Sequence, residues 1–148
     1  MAADATAPPL GLPPVPIPAD NPQTPEKIAL GKKLFEDKRF SATGQVDCAT
    51  CDDVKKAFTD SPLRTSEGIK QAGKALTGTR NAPTVVNAAY FVSQFWDGRS
   101  PSLEDQSLHP FVNPVEMGLK DHQPILKIAR SDPAYTKAFE QPPPGSPP

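Results

Sequence analysis

The chain has 148 residues, with sixteen basic and seventeen acidic side chains and a formal net charge of -1. That length suits one domain of ordinary size, and charges that nearly cancel exclude a basic nucleic-acid surface or an acidic tail as its organising feature. Apolar residues are 36% of the chain, lean for a domain that must offset chain entropy by burial. A large flat apolar cofactor in the core is compatible with that composition.

Of the twenty prolines, eight fall between Pro8 and Pro25, five between Pro142 and Pro148, and seven punctuate the long stretch between them. Residues 1–23 and 141–148 therefore read as extended, polyproline-like arms around one body at residues 24–140. The plain reading of the N-terminal arm is a solvated or loosely packed segment, and docking is the alternative. Met1-Ala2-Ala3-Asp4 has neither a basic n-region nor an apolar h-region, so an exported protein would be represented here by its mature part. No apolar run reaches the length of a membrane span.

Along the body, Thr24-Pro25-Glu26 opens a helix, with Thr as N-cap, Pro at the first helical position and an acid in the first turn. Ile28, Gly31, Leu34 and Phe35 follow at helical spacing, with Gly31 leaving room for close approach of a helix or a flat ring. Residues 37–47 are polar and turn-rich, and the next segment, Cys48-Ala49-Thr50-Cys51, can start a short helix. From Phe58 to Arg80 the reading is mostly loop, a length that in a compact domain is functional or wrapped around something. Pro83 to Phe91 is a short helix at its alanines or a buried extended run. Ser100-Pro101-Ser102-Leu103-Glu104-Asp105 is a further capped start, Pro110 and Pro114 break the chain, and Gln123-Pro124 and Asp132-Pro133 open two last helices. No alternating strand pattern of useful length is visible. The expected class is all-α with long loops, in which a cofactor would be part of the core.

The chemistry rests first on Cys48-Ala49-Thr50-Cys51-Asp52. With His at position 52 it would be the C-x-x-C-H signature of c-type haem attachment, in which each sulfur adds to a haem vinyl group and the histidine reaches the iron. Several readings of Asp52 stay open. Haem is attached through Cys48 and Cys51, and the iron takes Asp52, a water or another side chain. Or no haem is attached, and the cysteines are thiols or a strained local disulfide. Or the letter at position 52 departs from the natural protein. A thioredoxin-like use of the pair is a minor fourth reading, because the βαβ context of that chemistry is missing.

Six ordered blocks carry a resemblance. They are Leu30-Gly31-Lys32-Lys33-Leu34-Phe35, Cys48-Ala49-Thr50-Cys51, Ala57-Phe58-Thr59-Asp60, Gly78-Thr79-Arg80-Asn81-Ala82-Pro83-Thr84, Gln94-Phe95-Trp96-Asp97-Gly98-Arg99 and Asn113-Pro114-Val115-Glu116-Met117. In order and spacing, over roughly residues 24 to 140, the chain resembles the N-terminal, peroxidatic haem domain of bacterial di-haem cytochrome c peroxidases. The resemblance implies one haem c held covalently through Cys48 and Cys51, a small all-α, cytochrome c-like domain with long loops wrapped around it, and a periplasmic location. It also implies a second haem domain, which this chain does not contain, and a small redox protein or larger electron-transfer complex as partner.

By the same resemblance, Glu116 is the acid-base carboxylate of peroxide cleavage and Gln106 a pocket amide, where the plain readings are a surface Glu and a helix Gln. Trp96 matches a tryptophan lying between the two haems, against the plain reading of a core or interface aromatic. Asn81 matches a calcium position between the domains, and calcium here is doubtful because its other ligands would come from the missing half. His109 and His122 are the only histidines that could replace the lost iron ligand, with His109 the better placed of the two. A distal histidine would fall near Gly73, where none stands. The expected function is haem-based electron transfer, related to peroxide reduction, with no autonomous peroxidase turnover. The alternative is a haem-free structural or assembly subunit whose arms dock to a larger complex.

Overall fold

The structure, a computed structural model, describes residues 11–140. The outer part of the N-terminal arm and the C-terminal tail at 141–148 lie outside the described residues. Six helices and one hairpin follow in chain order: α1 Pro25–Phe35, α2 Cys48–Cys51, β1 Glu67–Gln71, β2 Lys74–Thr77, α3 Leu103–Gln106, α4 His109–Val112, α5 Gln123–Ser131 and α6 Pro133–Phe139. Short 3₁₀ turns occur at Lys38–Phe40, Val54–Lys56 and Ala88–Tyr90.

The helix starts follow local chemistry. The Thr24 hydroxyl accepts the Lys27 N–H at 3.2 Å, with Pro25 at the first helical position. Asp132 caps α6 by accepting the Ala134 N–H at 2.9 Å. Asp47 and Thr50 cap α2 reciprocally: the Asp47 N–H donates to the Thr50 hydroxyl at 3.1 Å, and that hydroxyl donates to the Asp47 carboxylate at 2.6 Å.

The buried apolar cluster is Phe40, Val46, Met117 and Tyr135, with Leu30, Leu34, Ile69, Phe111, Ile125, Ile128 and Ala129 packed against it. It joins α1, α5 and α6 to the segment that ends at Met117. The Tyr135 hydroxyl donates to Asp37 at 2.7 Å, and Arg39 pairs with both Asp37 and Asp132. Apart from Ala88, no other apolar residue among those described is fully buried.

Four sequence expectations are corrected. The 58–80 stretch, expected to be mostly loop with no strand, holds a hairpin in which β1 and β2 pair antiparallel. The hairpin rests on its turn rather than on alternation: Ala72 and Gly73 both take positive φ, 49° and 78°, the conformation that matches strand twist in a two-residue hairpin. The fold is thus helix-rich with a small sheet rather than all-α. Gly31 is exposed and a Cβ there would meet nothing within 4 Å; the inward stripe of α1 is Leu30 and Leu34, while Ile28 faces solvent. Pro110 sits in the first turn of α4 instead of breaking the chain, since proline there lacks only an N–H that has no helical partner. The described part of the N-terminal arm is mostly exposed but pinned at two points: the Tyr90 hydroxyl donates to the Pro13 carbonyl at 2.9 Å and the Asn21 amide to Glu104 at 2.8 Å.

Candidate functional site

The α2 turn places Cys48 and Cys51 one helical turn apart, as free and half-buried thiols. The Cys51 thiol donates to the Glu67 carbonyl on β1 at 3.8 Å. Beside it lies a cavity of about 440 Å³ whose wall includes Val46, Thr50, Cys51, Asp60, Leu63 and Gly68. Both thiols are pushed up to about 12, first by burial and then by the negative charge of Asp52. They stay protonated at neutral pH, which counts against a thioredoxin-like pair.

β1 connects this turn to Glu116. The strand leaves its ladder at Gly68 and Ile69, where the register is irregular, and the Ile69 N–H donates to the Glu116 carbonyl at 2.9 Å. A Cβ on Gly68 would collide with the Val115 carbonyl oxygen and the Glu116 backbone, so only glycine allows this approach. The Glu116 side chain accepts from the Asn113 amide at 2.8 Å, and Asn113 is itself held by the Val115 N–H at 3.1 Å. Burial raises the Glu116 carboxyl above the usual range, and Arg99 opposes that rise.

Asp52 is half-buried, and its carboxyl is pushed up to about 7 by burial and then by the charges of Asp60 and Glu116. Asp60 is buried, with one oxygen accepting the Ser66 hydroxyl at 2.5 Å and the other the Ala82 N–H at 3.2 Å. The structure thus brings together Cys48, Cys51, Asp52 and Glu116 from the sequence reading, and adds Asp60, Gly68, Asn113 and Arg99. Asp60, Asn113 and Arg99 stood in three of the resemblance blocks without a role. Gly68 carried no signal, since its requirement comes from a contact 48 residues away in sequence, at Glu116.

The remaining expected site residues lie elsewhere. His109 pairs with Asp105 at 3.2 Å and meets the edge of Phe95 at 5.5 Å, and His122 bonds the Leu108 carbonyl at 3.0 Å. Neither ring is among the groups acting on Cys51, Asp52 or Glu116. Gln106 is half-buried at the end of α3, and no hydrogen bond joins it to Glu116 among the described residues. Trp96 and Asn81 do meet: the indole N–H donates to the Asn81 carbonyl at 2.9 Å, and both residues are exposed. No group of three or more His, Cys, Asp or Glu placed to hold a metal ion occurs among the described residues.

Residues 25–144 match the family model for di-haem cytochrome c peroxidase. The chain belongs to the di-haem cytochrome c peroxidase family. It is 39% identical over 139 residues to cytochrome c peroxidase Ccp of Escherichia coli, covering 93% of this chain and 29% of that protein. It is 34% identical over 128 residues to the methylamine utilization protein MauG of Methylophilus methylotrophus, covering 84% and 37%. A crystal structure of a MauG-like protein associated with microbial copper homeostasis superposes with a TM-score of 0.76 at 34% identity, covering 88% of this chain and 37% of that one. The chain therefore spans about a third of the length of the relatives it matches. The helix-rich fold is the one found in these peroxidases, whose family binds c-type haem.

The residues present fit such a group by their donor chemistry. Two protonated thiols stand one turn apart, and Cys51 lines a cavity beside a thin core, as covalent attachment requires. The fit departs from the signature at one point, where Asp52 stands directly after Cys51 in place of an imidazole.

No helix of the described residues is long and apolar enough to cross a membrane.

Proposed function

We propose that this chain is a c-type haem-binding electron-transfer domain, with one haem held through thioethers to Cys48 and Cys51. The observation that carries the reading is the pair of free thiols on the α2 turn, with Cys51 in the wall of a cavity that Asp60 also lines. The bound haem would supply a redox-active iron. The share of peroxide chemistry left to the chain's own side chains is proton transfer. Glu116 suits it, being half-buried, raised above the ordinary carboxylate range and fixed by Asn113. Peroxide reduction as a full activity needs two electrons and belongs with a redox partner or a second haem domain. The exposed apolar run Val85, Val86, Phe91, Val92 and Trp96 supports contact with such a partner. Covalent haem attachment also favours a periplasmic location.

The test is a pyridine haemochrome spectrum with intact mass on protein made in an exporting, haem-attaching host. The expected result is a c-type band and the mass of one added haem, both lost in Cys48→Ala/Cys51→Ala. An unmodified mass for the wild-type chain would sink the reading and favour the haem-free subunit.

A further inference from the structure

Asp60 is only 3% exposed, and no ion pair reaches it among the described residues. A buried carboxylate with no cation beside it is costly. What offsets that cost here is a pair of hydrogen bonds that uses both oxygens. One accepts the Ser66 hydroxyl at 2.5 Å and the other the Ala82 N–H at 3.2 Å. The first has the short length of a charge-assisted O–H···O bond, the stronger kind.

The chain around Asp60 shows what those bonds fasten. Residues 51–60 form one loop that leaves α2 at Cys51 and ends at Asp60. The Phe58 N–H draws it together by donating to the Asp53 carbonyl at 2.8 Å, and Asp53 bridges to Thr59. Both ends of the loop meet consecutive residues at the head of β1. Asp60 holds the Ser66 hydroxyl, and the Cys51 thiol donates to the Glu67 carbonyl at 3.8 Å. The Ser66 hydroxyl is also among the groups acting on the Cys51 sulfur. Ser66 is itself a firm anchor. Its N–H donates to the Arg80 carbonyl and its carbonyl accepts the Gly78 N–H, each at 2.9 Å.

The two end contacts differ in strength. A thiol is a weak donor, so the bond to Glu67 does not by itself fix the Cys51 side chain. The carboxylate bonds of Asp60 are the strong end of the loop. Cys51 and Asp60 line the same cavity, whereas Cys48, one turn back, is not part of that wall. The clasp therefore bears on one of the two sulfurs.

We propose that Asp60 is the positioning residue that holds the Cys51 sulfur in the cavity wall for thioether formation. The proposal rests on the reading of Cys51 as a haem attachment point. In that step the sulfur bonds one carbon of a vinyl group and the thiol hydrogen ends on the other, so no oxidant or reductant is consumed. Asp60 takes no part in making the bond. It sets where the sulfur stands when the vinyl group arrives.

The experiment labels the haem-free full chain with iodoacetamide at mildly alkaline pH and reads Cys48 and Cys51 separately by peptide mass. Asp60→Ala is expected to raise the labelling rate of Cys51 about tenfold relative to Cys48, the effect on local opening of losing a hydrogen bond to a charged group. Asp60→Asn keeps an oxygen for the Ala82 N–H and can donate an amide N–H to the Ser66 oxygen, so it should stay near the wild-type ratio. Ser66→Ala opens the clasp from the other side and should reproduce the rise, including where Asp60→Ala does not fold. Cys48 is the internal control, because a general loosening speeds both thiols alike. An unchanged ratio of Cys51 to Cys48 labelling in the folded variants would overturn the proposal. In a haem-attaching host, the wild-type chain is expected to carry thioethers at both cysteines, and Asp60→Ala at Cys48 alone. A wild-type chain without haem would overturn the attachment reading, while the labelling ratio would still report whether Asp60 places the Cys51 sulfur.

Discussion

Asp52 is the carboxyl of this site that changes protonation near neutral pH. Burial and two neighbouring carboxylates raise its carboxyl to about 7, from an ordinary value of 3.8. The sign of the stability effect follows. The folded chain binds this proton more tightly than the unfolded chain, so the shift costs nothing while both states are protonated. A cost to folding develops as pH rises from about 4 through 7. Asp52→Asn removes the ionisation and keeps the shape. In the haem-free chain it should be close to neutral in urea unfolding at pH 4, and stabilising by about 2 kcal/mol at pH 8, a figure reduced for the side chain's partial exposure. Equal effects at the two pH values would show that Asp52 is not raised. Asp37 works in the opposite direction: Arg39 holds its carboxyl at about 2, so its contribution persists above the ordinary carboxylate range and is lost only in strong acid.

At the level of elements, β1 is the part that sets one half of the site against the other. It accepts the Cys51 thiol at Glu67 and binds the Glu116 backbone at Ile69. Gly68→Ala would drive a methyl into the Val115 and Glu116 backbone, which cannot yield as a flexible side chain would. The expected cost is about 3 kcal/mol or more in urea unfolding, with the Glu116 carboxyl signal displaced. A change below about 1 kcal/mol would mean that the strand slides freely past the turn. This element is also where sequence reasoning stopped. Caps at Thr24, Asp47 and Asp132 are local chemistry, legible from a few adjacent letters. The hairpin depends on Ala72 accepting positive φ and on a contact between Gly68 and a segment far along the chain. Neither leaves a periodic trace in Glu67-Gly68-Ile69-Lys70-Gln71. The thiols and Glu116 were legible because they sit in compact motifs.

Across the whole molecule, the balance of buried and exposed apolar groups argues for a cofactor as part of the core. Phe40, Val46, Ala88, Met117 and Tyr135 are the fully buried apolar residues among those described, while Phe91, Val92, Trp96 and Phe139 are each half exposed or more. A domain of this size that buries so little is poorly placed to offset the entropy of ordering its loops. The thin region lies beside Cys51, where Val46 belongs both to the core cluster and to the cavity wall. A flat apolar group held there would extend the Phe40–Tyr135 cluster toward β1, and each 100 Å² of apolar surface it covers would stabilise the fold by about 2.5 kcal/mol. The haem-loaded chain should therefore unfold in urea with a stability at least about 3 kcal/mol above that of Cys48→Ala/Cys51→Ala. The haem-free variant should also bind a dye for exposed apolar surface and exchange the β1 amides faster. A haem-free chain as stable and as protected as the loaded one would show that the protein core is sufficient alone, and would point to a haem lying on the fold rather than within it.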